Sequence, residues 1–301
     1  MFFVKNNITD ISIESQMKNK ISDYFSSKVL QLKLLRETDV SYLYLAELSN
    51  IKILAKQYKN ISIKHEYENQ LYIYTIINDH YQNKLFRVPR PFFFSESENF
   101  FTMEYIPDAK NFLDLLFILP LNQVQQLSQK VGLALYEYHV LLTKYLSQKK
   151  KSIYTGDSMQ ELFKTKKGST IKKIIDKFPE NTTSVIYRDF TPTNIMFRND
   201  EIYFIDFQTI CYTGPFFYDL ARFQDVTRIF SFLKHPFSYL YHRKTILMIL
   251  DQIVQGYNEK KYVDRNLLKM ASFIHHKEHA IMKNKNKFNK YILKFLYLIN
   301  I

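Results

Sequence analysis

Apolar and polar residues alternate along the first third of the chain as they do in β-strands. Between residues 31 and 58 the pattern is strand-like: Val40, Tyr42 and Tyr44 fall on one side, and after a tight turn at residues 49–50 the apolar positions are 51, 53 and 55. This pattern predicts a β-hairpin with Lys56 near its end. Two further strands are predicted at residues 92–94 and 100–106, joined by a polar turn. The sequence therefore predicts a small antiparallel sheet that is complete by Ile106.

Elsewhere the apolar residues recur at steps of three and four, which is the period of a helix. Such a pattern predicts one helix at residues 61–79 and a long amphipathic helix at 122–145. Residues 239–301 also have a helical pattern, and a lysine-rich stretch at 148–177, which contains two glycines, is expected to be a mobile insert.

The change of character after Pro107 predicts a domain boundary at that point. We expect an N-terminal lobe at residues 1–106 and a C-terminal lobe at 107–301. The fold class is therefore α+β, with a small antiparallel sheet and one helix followed by a larger, mostly helical part.

Composition narrows the class of protein further. With 301 residues, 46% of them hydrophobic, the chain can bury a sizeable core. The longest apolar run, residues 112–121, is far shorter than the ~20 residues that cross a bilayer. Cys211 is the only cysteine, so an internal disulfide and a cysteine-built zinc site are excluded. Without a recognisable signal peptide, a cytoplasmic protein is expected.

The formal net charge is +13, and lysines cluster at residues 144–151, 164–173 and 277–294. Such runs are usually solvated helix faces and less often attract anionic partners. The chain is rich in Asn, Ile, Tyr and Phe as well as in Lys. Bias in codon usage produces such a composition too, so the lysine content alone does not indicate a basic binding surface. No nucleic-acid partner is expected, and the oligomeric state stays open.

Three oxygen-bearing side chains carry the chemistry. Asp189 precedes Asn194 by five positions on a predicted loop, because a proline between them interrupts regular structure. Short apolar strands at 195–197 and 202–205 then form a hairpin that delivers Asp206 beside the loop. Phosphoryl transfer needs oxygen ligands for Mg²⁺ and an acceptor for the substrate's proton. Asp206 and Asn194 suit the metal, and Asp189 suits the proton.

The motifs YRDFTPTN and FIDFQ, followed by GPFFYDLARF, resemble a known signature. It is that of the aminoglycoside phosphotransferase and choline kinase-like superfamily, HxDxxxxN followed by a strand ending in IDF or IDW. The resemblance implies a two-lobed, protein-kinase-like fold and a kinase that uses ATP and Mg²⁺. It implies that residues 1–106 are the nucleotide-binding lobe and that residues 107–301 are the catalytic and substrate lobe. It also implies Asp189 as the catalytic base, with Asn194 and Asp206 as metal ligands.

The resemblance assigns the nucleotide site as well. In ILAKQY, Lys56 would hold the α and β phosphates, paired with a carboxylate on the following helix. Glu66 is the preferred partner because it shares a stripe with apolar residues, and Glu68 is the alternative. FFTMEYIP would be the hinge that meets the adenine, through Met103, Glu104, Tyr105 and Ile106.

Two departures from the signature are visible. Tyr187 replaces the family's histidine, which implies support of the loop, a role also expected of Asp219. No glycine-rich loop precedes Lys56, which argues against a protein kinase. Residues 37–41 would have to cover the phosphates instead, through backbone amides and the Ser41 hydroxyl.

The acceptor is expected to be a small molecule with a hydroxyl group. A positive chain would repel polycationic aminoglycosides, and the motif details resemble bacterial amino-sugar kinases, so a sugar or amino sugar is preferred. The alternatives are a choline, ethanolamine or aminoglycoside kinase, and a kinase of lipopolysaccharide-core sugars. From another class, the chain could be a non-catalytic kinase-fold protein that binds an anionic partner. The sequence fixes neither the acceptor nor the choice between ATP and GTP.

Overall fold

A computed structural model describes residues 8–82, 85–146, 183–208 and 211–272. The chain divides into two compact units, of which the first contains Met1–Thr75 and Val88–Asp108. The second contains Ile76–Arg87 and the chain from Ala109 onward. The predicted mobile insert and the lysine cluster at 277–294 lie outside the described residues.

The first unit is an antiparallel sheet of five strands in the order β1-β2-β3-β5-β4. Its elements are α1 (Ile8–Phe25), β1 (Val29–Glu37), β2 (Ser41–Leu48), β3 (Lys52–Tyr58), α2 (Lys64–His80, whose last residues belong to the second unit), β4 (Pro91–Ser95) and β5 (Phe100–Glu104). The predicted sheet is therefore present, with one more strand, β1, at its edge. Helix α1 was not predicted.

The period of two in these strands sends alternate side chains to opposite faces of the sheet. One face contributes residues such as Ala46 and Ile53 to a core that Met17 and Ile21 of α1 complete. The other face contributes Phe101 to a second cluster, together with residues that flank α2. Both faces are thus buried, which explains why so many strand residues are apolar.

Helix α2 begins three residues later than the predicted start at Ile61. The side chain of Asn99 holds the preceding segment in a non-helical course: its Nδ2 donates to the Ile61 carbonyl at 2.7 Å, and its Oδ1 accepts from the Ile63 amide at 2.9 Å. An amide side chain of this kind competes with the helix for backbone groups. The helix therefore starts at Lys64.

The second unit joins helices to two small sheets. Strands β6, β8 and β9 form one sheet, and β7 pairs with β10 in the other. The elements are β6 (Lys110–Asn111), α3 (Phe112–Ile118), α4 (Leu121–Leu146), β7 (Thr183–Ile186), β8 (Ile195–Arg198), β9 (Glu201–Phe204), β10 (Cys211–Pro215), α5 (Phe217–Lys234) and α6 (Pro236–Asn258), and residues 265–272 are also helical. The α+β prediction is confirmed.

Helices α4 and α6 pack closely because a glycine on each lies at the contact. A Cβ on Gly132 would overlap the carbonyl oxygen of Ile253, and a Cβ on Gly256 would overlap that of Gln129. Only glycine permits this approach. None of the helices in the described ranges is both long and apolar enough to cross a lipid bilayer.

Candidate active site

In the first unit, Lys56 forms an ion pair with Glu66. Lys56 Nζ lies 2.7 Å from Glu66 Oε1, and the Tyr58 hydroxyl donates to Glu66 Oε2 at 2.6 Å. The side chains of Lys56 and Glu66 are only 13% and 1% exposed. Both carboxylate oxygens thus have a donor, which a buried ion pair needs to offset its desolvation. Glu68, the alternative partner, is about half exposed and lies 3.7 Å from His65.

The turn between β1 and β2 is closed by a threonine side chain. Thr38 Oγ1 accepts from the Ser41 amide at 3.0 Å and from the Val40 amide at 3.3 Å. The Thr38 amide in turn donates to the Ser41 carbonyl at 2.9 Å. Three of the amides in residues 37–41, which were expected to cover a phosphate, therefore already have an acceptor. The Ser41 hydroxyl, 3.0 Å from Thr38 Oγ1, is the more available group for a phosphate contact.

The predicted hinge lies at the end of β5. Met103 is buried and accepts a weak hydrogen bond from Gln70 at 3.6 Å. The Glu104 amide donates to the Arg90 carbonyl at 2.8 Å. An adenine ring that binds this segment must therefore use backbone groups other than the Glu104 amide, and Tyr105 and Ile106 follow directly.

In the second unit, Asp189 lies on the loop between β7 and β8, and donors hold both of its carboxylate oxygens. Arg222 of α5 donates to Oδ1 through Nε at 3.1 Å and also through Nη2. Asn194 Nδ2 donates to Oδ2 at 3.1 Å and to the Asp189 carbonyl at 3.0 Å. A carboxylate has about four lone-pair sites. The remaining site is on Oδ2, and the side chain is 31% exposed, so a substrate hydroxyl can reach it.

Asp206 follows β9 in a left-handed backbone conformation, with φ 68°. The Ile205 amide donates to the Asn194 carbonyl at 3.1 Å, so Asp206 comes directly after a residue bonded to the loop that carries Asp189. The Tyr187 hydroxyl donates to the Ile205 carbonyl. Burial raises the pKa of Tyr187 well above its usual value, and the nearby carboxylates, Asp206 first, add to this shift. The hydroxyl therefore keeps its proton and stays a donor.

Asp219, in the first turn of α5, is fully buried and accepts hydrogen bonds from the start of the loop that carries Asp189. Its Oδ2 accepts from the Tyr187 amide at 2.7 Å and lies 2.9 Å from His139 Nε2, while Oδ1 accepts from the Arg188 amide at 2.7 Å. His139 Nδ1 lies 2.9 Å from the Tyr257 hydroxyl. The two amides immediately before Asp189 are thus fixed to one carboxylate.

The residues in this unit suit Mg²⁺ held together with a nucleotide. In the described part of the chain, no three His, Cys, Asp or Glu side chains come together as a metal site. Mg²⁺ does not require such a cage, because it commonly binds one or two carboxylates, substrate phosphates and water. Asp206 offers a carboxylate. The amide nitrogen of Asn194 is bonded to Asp189, so the amide oxygen is the atom of this side chain that could bind a metal.

The structure brings the predicted residues together in two groups. Lys56 and Glu66 meet in the first unit, while Asp189, Asn194 and the residues around Asp206 meet in the second. Sequence reasoning missed Tyr58, His139 and Arg222. Arg222 lies three residues after Asp219 on α5, which places both near one side of the helix, but no local pattern in the sequence links it to Asp189, 33 positions earlier.

Comparison with known proteins agrees with this geometry. Residues 154–235 match the model of the phosphotransferase enzyme family. No curated protein sequence matches the chain.

Solved structures share the fold over nearly the whole chain. A choline kinase from Streptococcus pneumoniae aligns with a TM-score of 0.58 at 14% identity, covering 95% of this chain and 99% of that one. A choline/ethanolamine kinase family protein from Mesorhizobium loti aligns with a TM-score of 0.59 at 8% identity, covering 95% and 92%. An amicoumacin kinase aligns with a TM-score of 0.60 at 11% identity, covering 97% and 94%.

At such low identity the structural neighbours establish the fold alone, and the family match covers the segment that carries Asp189, Asn194 and Asp206. The predicted kinase-like fold is confirmed. Residues 154–235 of the chain are thus similar to the phosphotransferase enzyme family, and the chain shares the kinase-like fold of these structures.

Proposed function

We propose that the protein transfers the γ-phosphoryl group of ATP to a hydroxyl of a small molecule, with Asp189 as the base. The proposal rests on the hydrogen bonds that the Asp189 carboxylate accepts. Arg222 occupies Oδ1 and Asn194 occupies one side of Oδ2. A single lone pair of Oδ2 is left for a substrate hydroxyl, and a base fixed in this way needs no reorientation to accept a proton.

The other residues have separate roles in this proposal. Asp206 and the Asn194 amide oxygen bind Mg²⁺, which neutralises phosphate charge when it is bound. Lys56, held by Glu66, contacts phosphate oxygens, and backbone groups around Tyr105 and Ile106 bind the adenine. Asp219 keeps the loop that carries Asp189 in place through the Tyr187 and Arg188 amides.

The preferred acceptor is a sugar or amino sugar, because a net charge of +13 disfavours polycationic substrates. The choline kinase and the amicoumacin kinase among the structural neighbours support the general class of small hydroxyl acceptors. Choline or ethanolamine is the second candidate, on the strength of the two choline kinase-like neighbours.

A panel of acceptors tests the proposal. ADP release is measured with ATP and Mg²⁺ against N-acetylglucosamine, N-acetylmuramate, choline, ethanolamine, an aminoglycoside and a lipopolysaccharide-core sugar. We expect acceptor-dependent ADP release with a member of the sugar group, above the rate with ATP alone. If no hydroxyl compound stimulates ADP release and the protein instead binds polyanions with a steep dependence on salt, the non-catalytic alternative is correct.

A further inference from the structure

The side chain of Tyr187 reaches from the loop that carries Asp189 to the residue that precedes Asp206, one of the two proposed metal ligands. Its ring is fully buried and packs against the rings of Phe207 at 5.0 Å, Tyr138 at 5.6 Å and Phe190 at 5.9 Å. Its amide donates to Asp219, and its hydroxyl donates to the Ile205 carbonyl. The residue is therefore fixed at its backbone, along its ring and at its hydroxyl.

The bond to Ile205 acts on the peptide that presents Asp206. The Ile205 carbonyl belongs to the same planar peptide group as the Asp206 nitrogen. The opposite side of Ile205 is also held, because its amide donates to the Asn194 carbonyl at 3.1 Å. Tyr187 and Asn194 together thus fix both peptide groups of the residue that precedes Asp206.

The conformation of Asp206 benefits from such support. With φ 68° it lies in the left-handed region, which aspartate adopts more readily than most residues but still less readily than the right-handed region. Contacts from the surroundings help to hold a residue in that region. The direction of the Asp206 carboxylate depends on this φ, because the side chain branches from the same Cα.

We propose that the Tyr187 hydroxyl is a positioning group for Asp206, and that it sets the affinity of the site for a divalent cation. This proposal rests on the assignment of Asp206 as a metal ligand under the proposed function. Groups that orient metal ligands in this way commonly change metal affinity by about 10- to 100-fold when they are removed.

Binding of Mn²⁺ in the presence of a non-hydrolysable ATP analogue tests the proposal without turnover. Free Mn²⁺ is measured by electron paramagnetic resonance for the wild type and for Tyr187→Phe, which deletes the hydroxyl and keeps the ring. We expect the dissociation constant of Mn²⁺ to rise about tenfold, while binding of the analogue without metal is unchanged. In turnover assays, raising Mg²⁺ should restore most of the lost rate, which a general loss of structure would not allow.

Two controls define the result. Tyr203→Phe deletes a hydroxyl from β9 that is bonded to Glu201 at 2.7 Å, and it should leave Mn²⁺ binding unchanged. Asp206→Ala should abolish the nucleotide-dependent Mn²⁺ site. If Tyr187→Phe does not fold, Tyr187→His is measured instead. Its imidazole is shorter than the phenol and does not place a donor where the Tyr187 hydroxyl lies, so we expect the dissociation constant of Mn²⁺ to rise in this variant too.

Wild-type Mn²⁺ affinity in Tyr187→Phe, in a protein that loses the site on Asp206→Ala, would overturn the proposal. A tenfold loss in Tyr203→Phe as well would also overturn it, because the effect would not belong to Tyr187. Failure of the proposed function is a different result. It would be seen as wild-type Mn²⁺ binding by Asp206→Ala, or as the absence of turnover with every acceptor.

Discussion

Replacing Asp219 by asparagine is expected to damage both stability and activity. Two backbone amides approach the carboxylate from different sides, Tyr187 to Oδ2 and Arg188 to Oδ1, each at 2.7 Å. A backbone amide cannot become an acceptor. In either orientation of the new side-chain amide, its NH₂ group therefore faces one backbone N–H, and one buried donor loses its partner.

The size of the effect follows from these bonds. An unsatisfied buried donor costs about 1–3 kcal/mol, and each surviving bond loses roughly 1 kcal/mol when the acceptor is no longer charged. The total is about 3–5 kcal/mol, since His139 also lies 2.9 Å from Oδ2. At about 2–4 °C per kcal/mol, Tm should fall by roughly 10 °C. We expect kcat to fall more than about tenfold, because Arg188 directly precedes Asp189.

The losses of Tm and kcat are measured by thermal unfolding and steady-state kinetics of Asp219→Asn and of a matched variant, Asp225→Asn. Asp225→Asn makes the same change on the same helix, at a side chain that is also buried. Its Oδ1 lies 3.9 Å from Arg228 Nη1, and its Oδ2 accepts from the Ser272 hydroxyl at 2.7 Å. Unlike a backbone amide, a hydroxyl can rotate to suit a side-chain amide. We expect a smaller loss of Tm and an unchanged kcat for Asp225→Asn. A wild-type Tm and kcat in Asp219→Asn would refute the reasoning.

Three further predictions concern other parts of the chain. Glu66→Ala removes the buried carboxylate that pairs with Lys56 and should destabilise the fold by about 3 kcal/mol, which urea unfolding measures. An unchanged midpoint would contradict a stabilising role for this pair. Gly132→Ala places a methyl group on the Ile253 carbonyl and should cost about 1–3 kcal/mol, whereas equal or greater stability would show that the helices can separate freely. Burial raises the pKa of Tyr81 from its usual 10 to about 12. The folded protein therefore holds this proton more tightly than the unfolded chain does, which stabilises the fold below pH 10. This contribution is lost as the pH rises from 10 to 12. Tyr81→Phe should therefore flatten the fall in stability over that range, and an unaltered slope would refute the assignment.

The secondary structure could be predicted from the sequence where the hydrophobic pattern is local and regular. Alternation along β2 and β3 and the long stripe of α4 predicted those elements to within a residue or two at most ends. Helix α1 was missed because most of its residues are polar. Only two of its described side chains, Met17 and Ile21, are fully buried against the sheet, which is too few to give a clear helical pattern. Helix α3 was also missed, although the Asn111 side chain, which accepts from the Asp114 amide at 2.9 Å, is a typical N-cap.

The candidate site was readable where its residues follow one another on a short segment. Asp189, Asn194 and Asp206 could be grouped because a loop and a hairpin bring them together. Arg222 could not be placed on Asp189 from periodicity, because that contact joins residues 33 positions apart. The same holds for Tyr187 and Ile205, 18 positions apart, since no local pattern reports which carbonyl a buried hydroxyl reaches.

The most direct test of the central claim is transfer of ³²P from γ-labelled ATP to the best acceptor of the panel by Asp189→Asn. A general base contributes about 10²- to 10⁴-fold to the rate, so we expect at least a hundredfold fall in transfer with unchanged binding of an ATP analogue. Asp200→Asn makes the same change at the exposed turn between β8 and β9 and should transfer ³²P at the wild-type rate. Wild-type transfer by Asp189→Asn would contradict the assignment of Asp189 as the base.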